Sequence, residues 1–314
     1  MILVMCANAG IDRTYEVENF AVGSYHMPHR FRADAGGKGV NVARALRTLG
    51  AEVLLLGFAG GISQPFMAEK LAQQNIVTEL VPIGEESRLC INVVDPTNSS
   101  QTQLDEISPL VTPDEVERLK RQWRRLLDRS RMAIISGSAP RGVPFHFYAE
   151  MVQLARTKRV PLILDARDQL LASAIEAAPD VIKPNLAELQ ELVGLPLSVP
   201  QGVLQAAKDL IARGVRIVIV SMGKRGAIFV TPKQGSYWAV PPEIEFVSSV
   251  GCGDAMVAGF AAASLHNRPL EERIRWAMAM GAAAASSFGA VPESRSEVEP
   301  LLAGVKIELL EPPT

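Results

Sequence analysis

Along the chain, short runs of wholly apolar residues alternate with longer stretches in which apolar positions recur every three or four residues. The runs MILVMCA (1–7), EVLLLGF (52–58), MAIISGS (132–138), VPLILDA (160–166) and VRIVIVSMG (215–223) predict strands, several of them apolar on both faces. Such strands belong inside a parallel sheet covered by helices on both sides. The helical period predicts helices over 38–49, 64–74, 113–130, 144–158, 200–213, 253–266 and 270–288. This alternation predicts an α/β fold with a doubly wound, mostly parallel sheet. Residues 9–34 and 84–106 break the rhythm. They are polar and turn-rich, with short antiparallel strands expected in segments such as LCINVVD (89–95), and are assigned to a small β lid outside the main sheet. With no internal repeat, low-complexity tract or long linker, 1–314 reads as a single domain carrying that lid.

Composition narrows the partners. Of 314 residues, 48% are apolar and 21% charged, and the net charge is −2, so no global field recruits nucleic acid or an anionic membrane. The basic segment RLKRQWRRLLDRSR (118–131) has Leu119, Trp123 and Leu127 at helical spacing with Val116, which turns the arginines outward as a solvated helix face. Cys6, Cys90 and Cys252 are odd in number and widely spaced, which argues for free thiols and a cytoplasmic setting. His26 and His29 flank Pro28 with no cysteine or histidine cluster near, so a structural zinc is not expected. The opening apolar run is short and lacks a basic start, so it reads as a strand and not a signal peptide. No run approaches the roughly 20 apolar residues that span a bilayer.

Four stretches carry candidate chemistry. In SSVGCGDAMVAGF (248–260), the turn Gly251-Cys252-Gly253 delivers one acid, Asp254, to the head of an apolar helix. Consecutive N–H groups there form an anion hole, the helix dipole is expected to keep Asp254 ionised, and the acid could take a proton from a hydroxyl. In AGGKGVNVARALRTLG (35–50), Gly36, Gly37 and Gly39 expose N–H groups at a helix start, with Lys38 and Asn41 on its first turn. The spacing is not that of a P-loop. In VIKPNLAELQELVG (181–194), Asn185 and Glu188 have the spacing of a capping box; alternatively they surround magnesium waters, with Lys183 near phosphate. VSMGKRGAIFV (220–230) reads as strand, glycine turn and strand, whose backbone could line nucleotide phosphates.

These stretches, in this order, resemble the ribokinase-like carbohydrate kinases of the PfkB family. GCGD resembles that family's Gly-Ala-Gly-Asp signature, AGGKGVNVARAL its N-terminal signature, and ISGSAPRGVP (135–144) and KPNLAEL (183–189) two further segments. The GVNVARAL form is closer to the phosphofructokinase and tagatose-phosphate kinase branch. The resemblance implies a three-layer α/β/α core, a β lid often used for homodimer contacts, ATP, Mg²⁺, and phosphoryl transfer to a sugar or sugar-phosphate hydroxyl. By position it implies Asp254 as catalytic base and Gly251, Cys252 and Gly253 as the anion hole. Asp12, Gly37, Lys38, Asn41 and Ser138 would meet the sugar, and Arg88, with Cys90 beside it, a phosphate. Lys183, Asn185, Ser221, Gly223 and Gly226 would serve the nucleotide, and Glu188 with Asn185 the metal, through water.

The departures are Cys252 for alanine, Arg141 for proline, ANAGID for Asn-Pro-Ser-Ile-Asp, and Met27 near where the sugar-phosphate branch often has an arginine. The last weakens the case for a phosphorylated sugar, although Arg30, Arg32, Arg88 and Lys38 remain available. The competing readings are a kinase of an unphosphorylated sugar or nucleoside, a dinucleotide-dependent oxidoreductase and a non-catalytic sugar-binding regulator. The oxidoreductase is disfavoured because no G-x-G-x-x-G follows the first strand. The regulator is disfavoured because Asp254 is intact.

Overall fold

The computed structural model describes residues 1–98, 100–287 and 289–312. In chain order its strands are β1 (Ile2–Cys6), β2 (Gly10–Glu16), β3 (Arg30–Gly36), β4 (Val53–Gly60), β5 (Val77–Ile83), β6 (Leu89–Asp95), β7 (Ser100–Asp105), β8 (Met132–Ser136), β9 (Leu162–Asp165), β10 (Val181–Ile182), β11 (Ile217–Ser221), β12 (Ala227–Val230), β13 (Ser236–Val240) and β14 (Lys306–Glu311). The helices used below are α1 (Lys38–Thr48), α2 (Ser63–Gln73), α3 (Pro113–Leu127), α4 (Phe147–Thr157), α5 (Asp168–Ile175), α6 (Leu186–Val193), α7 (Gln201–Ala212), α8 (Cys252–Leu265) and α9 (Leu270–Ala285).

Ten strands form one sheet in the order β14-β13-β12-β11-β10-β9-β8-β1-β4-β5, parallel from β11 to β5 and antiparallel from β11 to β14. The period of two along a strand explains why the runs are apolar throughout. Ile2, Val4 and Cys6 of β1 enter one core with Val40, Leu46, Phe260 and Met280, whereas Leu3 and Met5 enter a second with Trp123, Phe147 and Leu210. Helices α1, α2, α8 and α9 therefore cover one face, and α3 to α7 the other. This is the expected three-layer α/β/α arrangement.

The basic helix α3 behaves as its pattern predicts. Thr112 and Glu115 close a capping box ahead of it, Trp123 is fully buried, and Trp123 Nε1 donates to Met151 O at 3.1 Å. Helix α5 and strands β5, β13 and β14 lie outside the elements predicted from the pattern. They are short or at the sheet's edge, where one-sided burial leaves a weak periodic signal. The helix expected over 270–288 ends at Ala285, and residue 288 lies outside the described residues.

The two polar regions form a separate sheet of order β3-β2-β6-β7, the proposed lid, with its first half running two residues past 34 to Gly36. It is not wholly antiparallel as expected, because β2 and β6 pair in parallel. These strands come from separate insertions that leave the core in the same direction. All three cysteines are free. Among the described residues no cluster of three or more His, Cys, Asp or Glu could hold a metal, and no helix is long and apolar enough to cross a membrane.

Candidate active site

Parallel strands bring their carboxyl ends to one edge of the sheet, where open α/β folds bind ligands. Here β1 delivers Asn8, β8 delivers Ser138, β9 ends on Asp165, β10 is followed by Lys183, and β11 ends on Ser221. Helices α1 and α8 start at this edge. Gly37 has φ +112°, and a Cβ on Gly39 would meet Cys6 Cβ at 2.5 Å, so only glycine lets α1 close on the end of β1. Gly251 is left-handed at φ +76°, and a Cβ there would collide with Ala290 O. The two glycine turns thus set two helix N-termini side by side.

Their first turns join the two predicted motifs. Asn41 Nδ2 donates to Asp254 Oδ2 at 2.9 Å, linking residues 213 apart in sequence. Asp254 is only 5% exposed. A Cβ on Gly253 would lie 3.2 Å from Lys183 Nζ, so that ammonium lies against the N–H turn. Lys183 Nζ lies 3.2 Å from Asp165 Oδ1, and Lys38 Nζ lies 3.9 Å from Asp165 Oδ2. Asp165 is fully buried, and neither of its oxygens accepts a hydrogen bond of good geometry, so the carboxylate is held by two ammonium groups. Its charge is the largest influence holding the Lys38 ammonium protonated, and Glu188 adds to it.

Asp254 differs from the sequence expectation. Burial, followed by repulsion from Asp165, pushes its pKa up to about 7, against the opposing Asn41 hydrogen bond and the Lys38 and Lys183 charges. The helix N-terminus alone would have kept the group ionised. Removal from water wins because Asp254 itself is buried, as is every residue of α8 from there to Ala261. The result is a carboxyl group that gives up its proton near neutral pH, which suits a general base.

The remaining predicted residues fall around this centre. On the lid, Asp12 pairs with Cys90 in register and shares its face with Asp34, which Arg44 of α1 approaches at 3.7 Å. Burial raises the Asp12 pKa against the pull of Arg88 and Arg44, and burial pushes the Cys90 thiol up to about 12. Arg88 Nε donates to Asn8 O at 3.3 Å, and its guanidinium stands 4.0 Å from Asp105. Ser138 Oγ accepts from Asn8 Nδ2 at 3.0 Å. Asn185 and Glu188 form the capping box, with Asn185 Oδ1 accepting from Glu188 N at 2.9 Å and Glu188 Oε2 from Asn185 N at 2.8 Å. Gly223 and Gly226, at φ +59° and +88°, shape the tight turn between β11 and β12 beside Ser221. Arg141 is a strut, with Nε donating to Ser108 O at 2.7 Å and Nη2 3.4 Å from Glu85. Met27 is exposed, and Arg32 is paired with Asp34.

Two residues central to the geometry escaped the sequence reading. Asp165 is the one acid of β9, at the end of an apolar strand, as Asp254 is at the head of an apolar helix, and that signal could have found it. Asn8 lies in ANAGID, and its amide donates to Ser108 Oγ at 2.8 Å as well as to Ser138. No local pattern announces that role.

Residues 2–296 match the model of the pfkB family carbohydrate kinases. The chain is 31% identical to a 1-phosphofructokinase of Borreliella burgdorferi over 91% of its length and 92% of the relative's. It is 32% identical to a tagatose-6-phosphate kinase of Staphylococcus epidermidis, over 90% and 91%. Phosphofructokinase-2 from Escherichia coli in complex with fructose-6-phosphate superposes with a TM-score of 0.89 at 26% identity, covering 96% of this chain and 98% of that one. Arabidopsis thaliana ribokinase, at 20% identity and a TM-score of 0.76, shares the fold. With paired glycine turns, a buried acid at a helix start and a match over nearly its whole length, the chain belongs to the pfkB family of carbohydrate kinases.

Proposed function

We propose that the chain transfers the terminal phosphoryl group of ATP to a free hydroxyl of a ketose phosphate, such as fructose 1-phosphate, fructose 6-phosphate or tagatose 6-phosphate. The observation that carries this reading is the buried carboxyl of Asp254, poised near neutral pH, held by Asn41 and facing the Lys38–Asp165–Lys183 cluster. The relatives' substrates support the choice of a sugar phosphate.

In this mechanism Asp254 takes the proton from the attacking hydroxyl, and Asn41 keeps the receiving oxygen aimed. The N–H groups of Gly251, Cys252 and Gly253, with Lys38 and Lys183, neutralise charge on the migrating group, the kind of preset field that dominates phosphoryl transfer. Asp12, Gly37 and Ser138 hold the sugar, and Arg88, with Cys90 beside it, meets its phosphate. Lys183, Asn185, Ser221, Gly223 and Gly226 line the nucleotide. The lid excludes water, which would otherwise accept the phosphoryl group.

The donor set fits Mg²⁺, a cation that takes oxygen ligands and keeps several waters. The two buried oxygens of Asp165 lie beside Lys183 and Lys38 without a hydrogen bond of good geometry, and Glu188 and Asn185, at the same edge, would hold the ion through water. When bound, the ion would offset the charge of the phosphates. We further propose a cytoplasmic homodimer formed through the lid.

Purified protein assayed with ATP against fructose 1-phosphate, fructose 6-phosphate, tagatose 6-phosphate, free ketoses and nucleosides tests the assignment. Turnover on at least one sugar phosphate is expected. Activity confined to the unphosphorylated compounds would overturn it.

A further inference from the structure

At the opposite edge of the main sheet, the first residues of β8, β9, β10 and β11 floor a second cavity of about 460 Å³. Its walls are Ser264 on a late turn of α8, Arg273 on the first turn of α9, and the hairpin between β12 and β13. That volume falls within the range of about 300–1,000 Å³ that small-ligand sites occupy.

The lining divides by chemistry. Met132, Leu162, Ile163, Val181, Ile217 and Phe260 form an apolar floor. Around it stand the cations Arg216, Lys233 and Arg273 against one acid, Asp180. Both oxygens of that acid are engaged: Oδ2 accepts from Leu162 N at 2.9 Å, and Oδ1 lies 3.2 Å from Arg216 Nη1. Lys233 and Arg273 have no carboxylate partner among the described residues. Arg273 is half-buried, donates Nε to Arg268 O at 2.6 Å, and has its pKa lowered by burial. A cation drawn out of water without a counter-ion is unfavourable unless something supplies the missing charge.

We propose that this cavity binds a small phosphate monoester with an apolar body, at a site separate from the catalytic cleft. A phosphate dianion matches the half-buried Arg273 and the exposed Lys233 beside it, and a guanidinium fork suits its oxygens. The apolar floor takes the rest of the molecule, so inorganic phosphate alone uses only half the site. The site binds without chemistry. Asp180 is engaged, Ser264 Oγ donates to Phe260 O at 2.7 Å, and Thr231 Oγ1 donates to Gly235 O at 2.9 Å. An occupant would touch the helix that carries Asp254, about 9 Å along α8 from Phe260 and about 15 Å from Ser264 at 1.5 Å per residue.

Phenyl phosphate, which joins a ring to a dianion, is the probe. In crystals soaked with it, we expect the probe in this cavity with its phosphate on Lys233 and Arg273. In solution, calorimetry is run with the catalytic cleft held by a non-hydrolysable ATP analogue. The double variant Lys233→Gln/Arg273→Gln should then bind the probe at least about tenfold more weakly, while kinase turnover stays unchanged. The single variant Lys233→Gln, on the exposed hairpin, gives the same reading with a smaller loss should the double variant fold poorly. A cavity empty of probe in the crystal, equal affinity in wild type and variants, or phosphate alone binding as tightly as phenyl phosphate would each overturn the proposal.

Discussion

Burial and the charge of Asp165 oppose ionisation of Asp254, and both its proposed role as base and its effect on stability follow from that. Its folded pKa of about 7 lies above the ordinary 3.8, so between these values the native state keeps a proton that the unfolded chain has lost. Stability therefore falls as pH rises through that window, and the deficit is complete above about 7. Asp254→Asn should cut turnover by about 100-fold or more, as loss of a general base does, with nucleotide affinity retained. The same variant should melt at a higher temperature than wild type at pH 8, with the difference closing towards pH 4. Stopped assays and thermal scans across pH check both halves. Asp165, at the end of β9, acts on this proposed base through its charge. Asp165→Asn removes a repelling charge and frees two ammonium groups, so the acid limb of kcat/KM for the sugar should move to lower pH. Lys38→Met should move it to higher pH. Coincident limbs in all three proteins would remove the cluster from control of the base.

At the scale of elements, the site depends on how closely α1 approaches β1. Gly39 faces Cys6 and Met5 O, and an added Cβ would stand 2.9 Å from that carbonyl. Gly39→Ala should push the helix outward, destabilise the fold by about 1–3 kcal/mol as overpacking does, and pull Asn41 from Asp254. The expected kinetic signature is a lower kcat with the acid limb displaced upward, since the Asn41 hydrogen bond lowers the Asp254 pKa. The glycine signature could be read from sequence because its backbone demands are local. Glu188 and Asn185 were equally visible, but the spacing fits both a cap and a metal site. The structure forms the cap, and it leaves the proposed water-mediated metal role to the other Glu188 oxygen.

Across the whole molecule, the lid carries an unpartnered apolar face. In the observed register Tyr15, Phe31, Ile91 and Leu104 lie on the side opposite Asp12 and Cys90. Tyr15 and Phe31 stack at 6.2 Å, and Phe31 and Leu104 are 70% and 60% exposed. Such a patch on a sheet separate from the core fits the proposed homodimer. Phe31→Asp/Leu104→Asp should convert a dimer to a monomer in sedimentation velocity, with KM for the sugar raised more than kcat is lowered. A wild-type monomer, or a variant that still dimerises, would exclude the lid as the interface.

The sequence by itself determined the layered α/β plan, the two polar segments that stand outside the main sheet and the two glycine turns. Each of these depends on apolar periodicity or on backbone conformations that only certain residues adopt. Only the tertiary structure decided that Asp165 joins Lys38 and Lys183, that Asn41 reaches Asp254, and that burial outweighs the helix dipole at that acid. It also decided that three cations gather over an apolar floor at the far edge of the sheet. Contacts between strand ends and helix starts far apart in the chain leave no spacing to read, and desolvation depends on everything packed around a group, not on its neighbours in sequence.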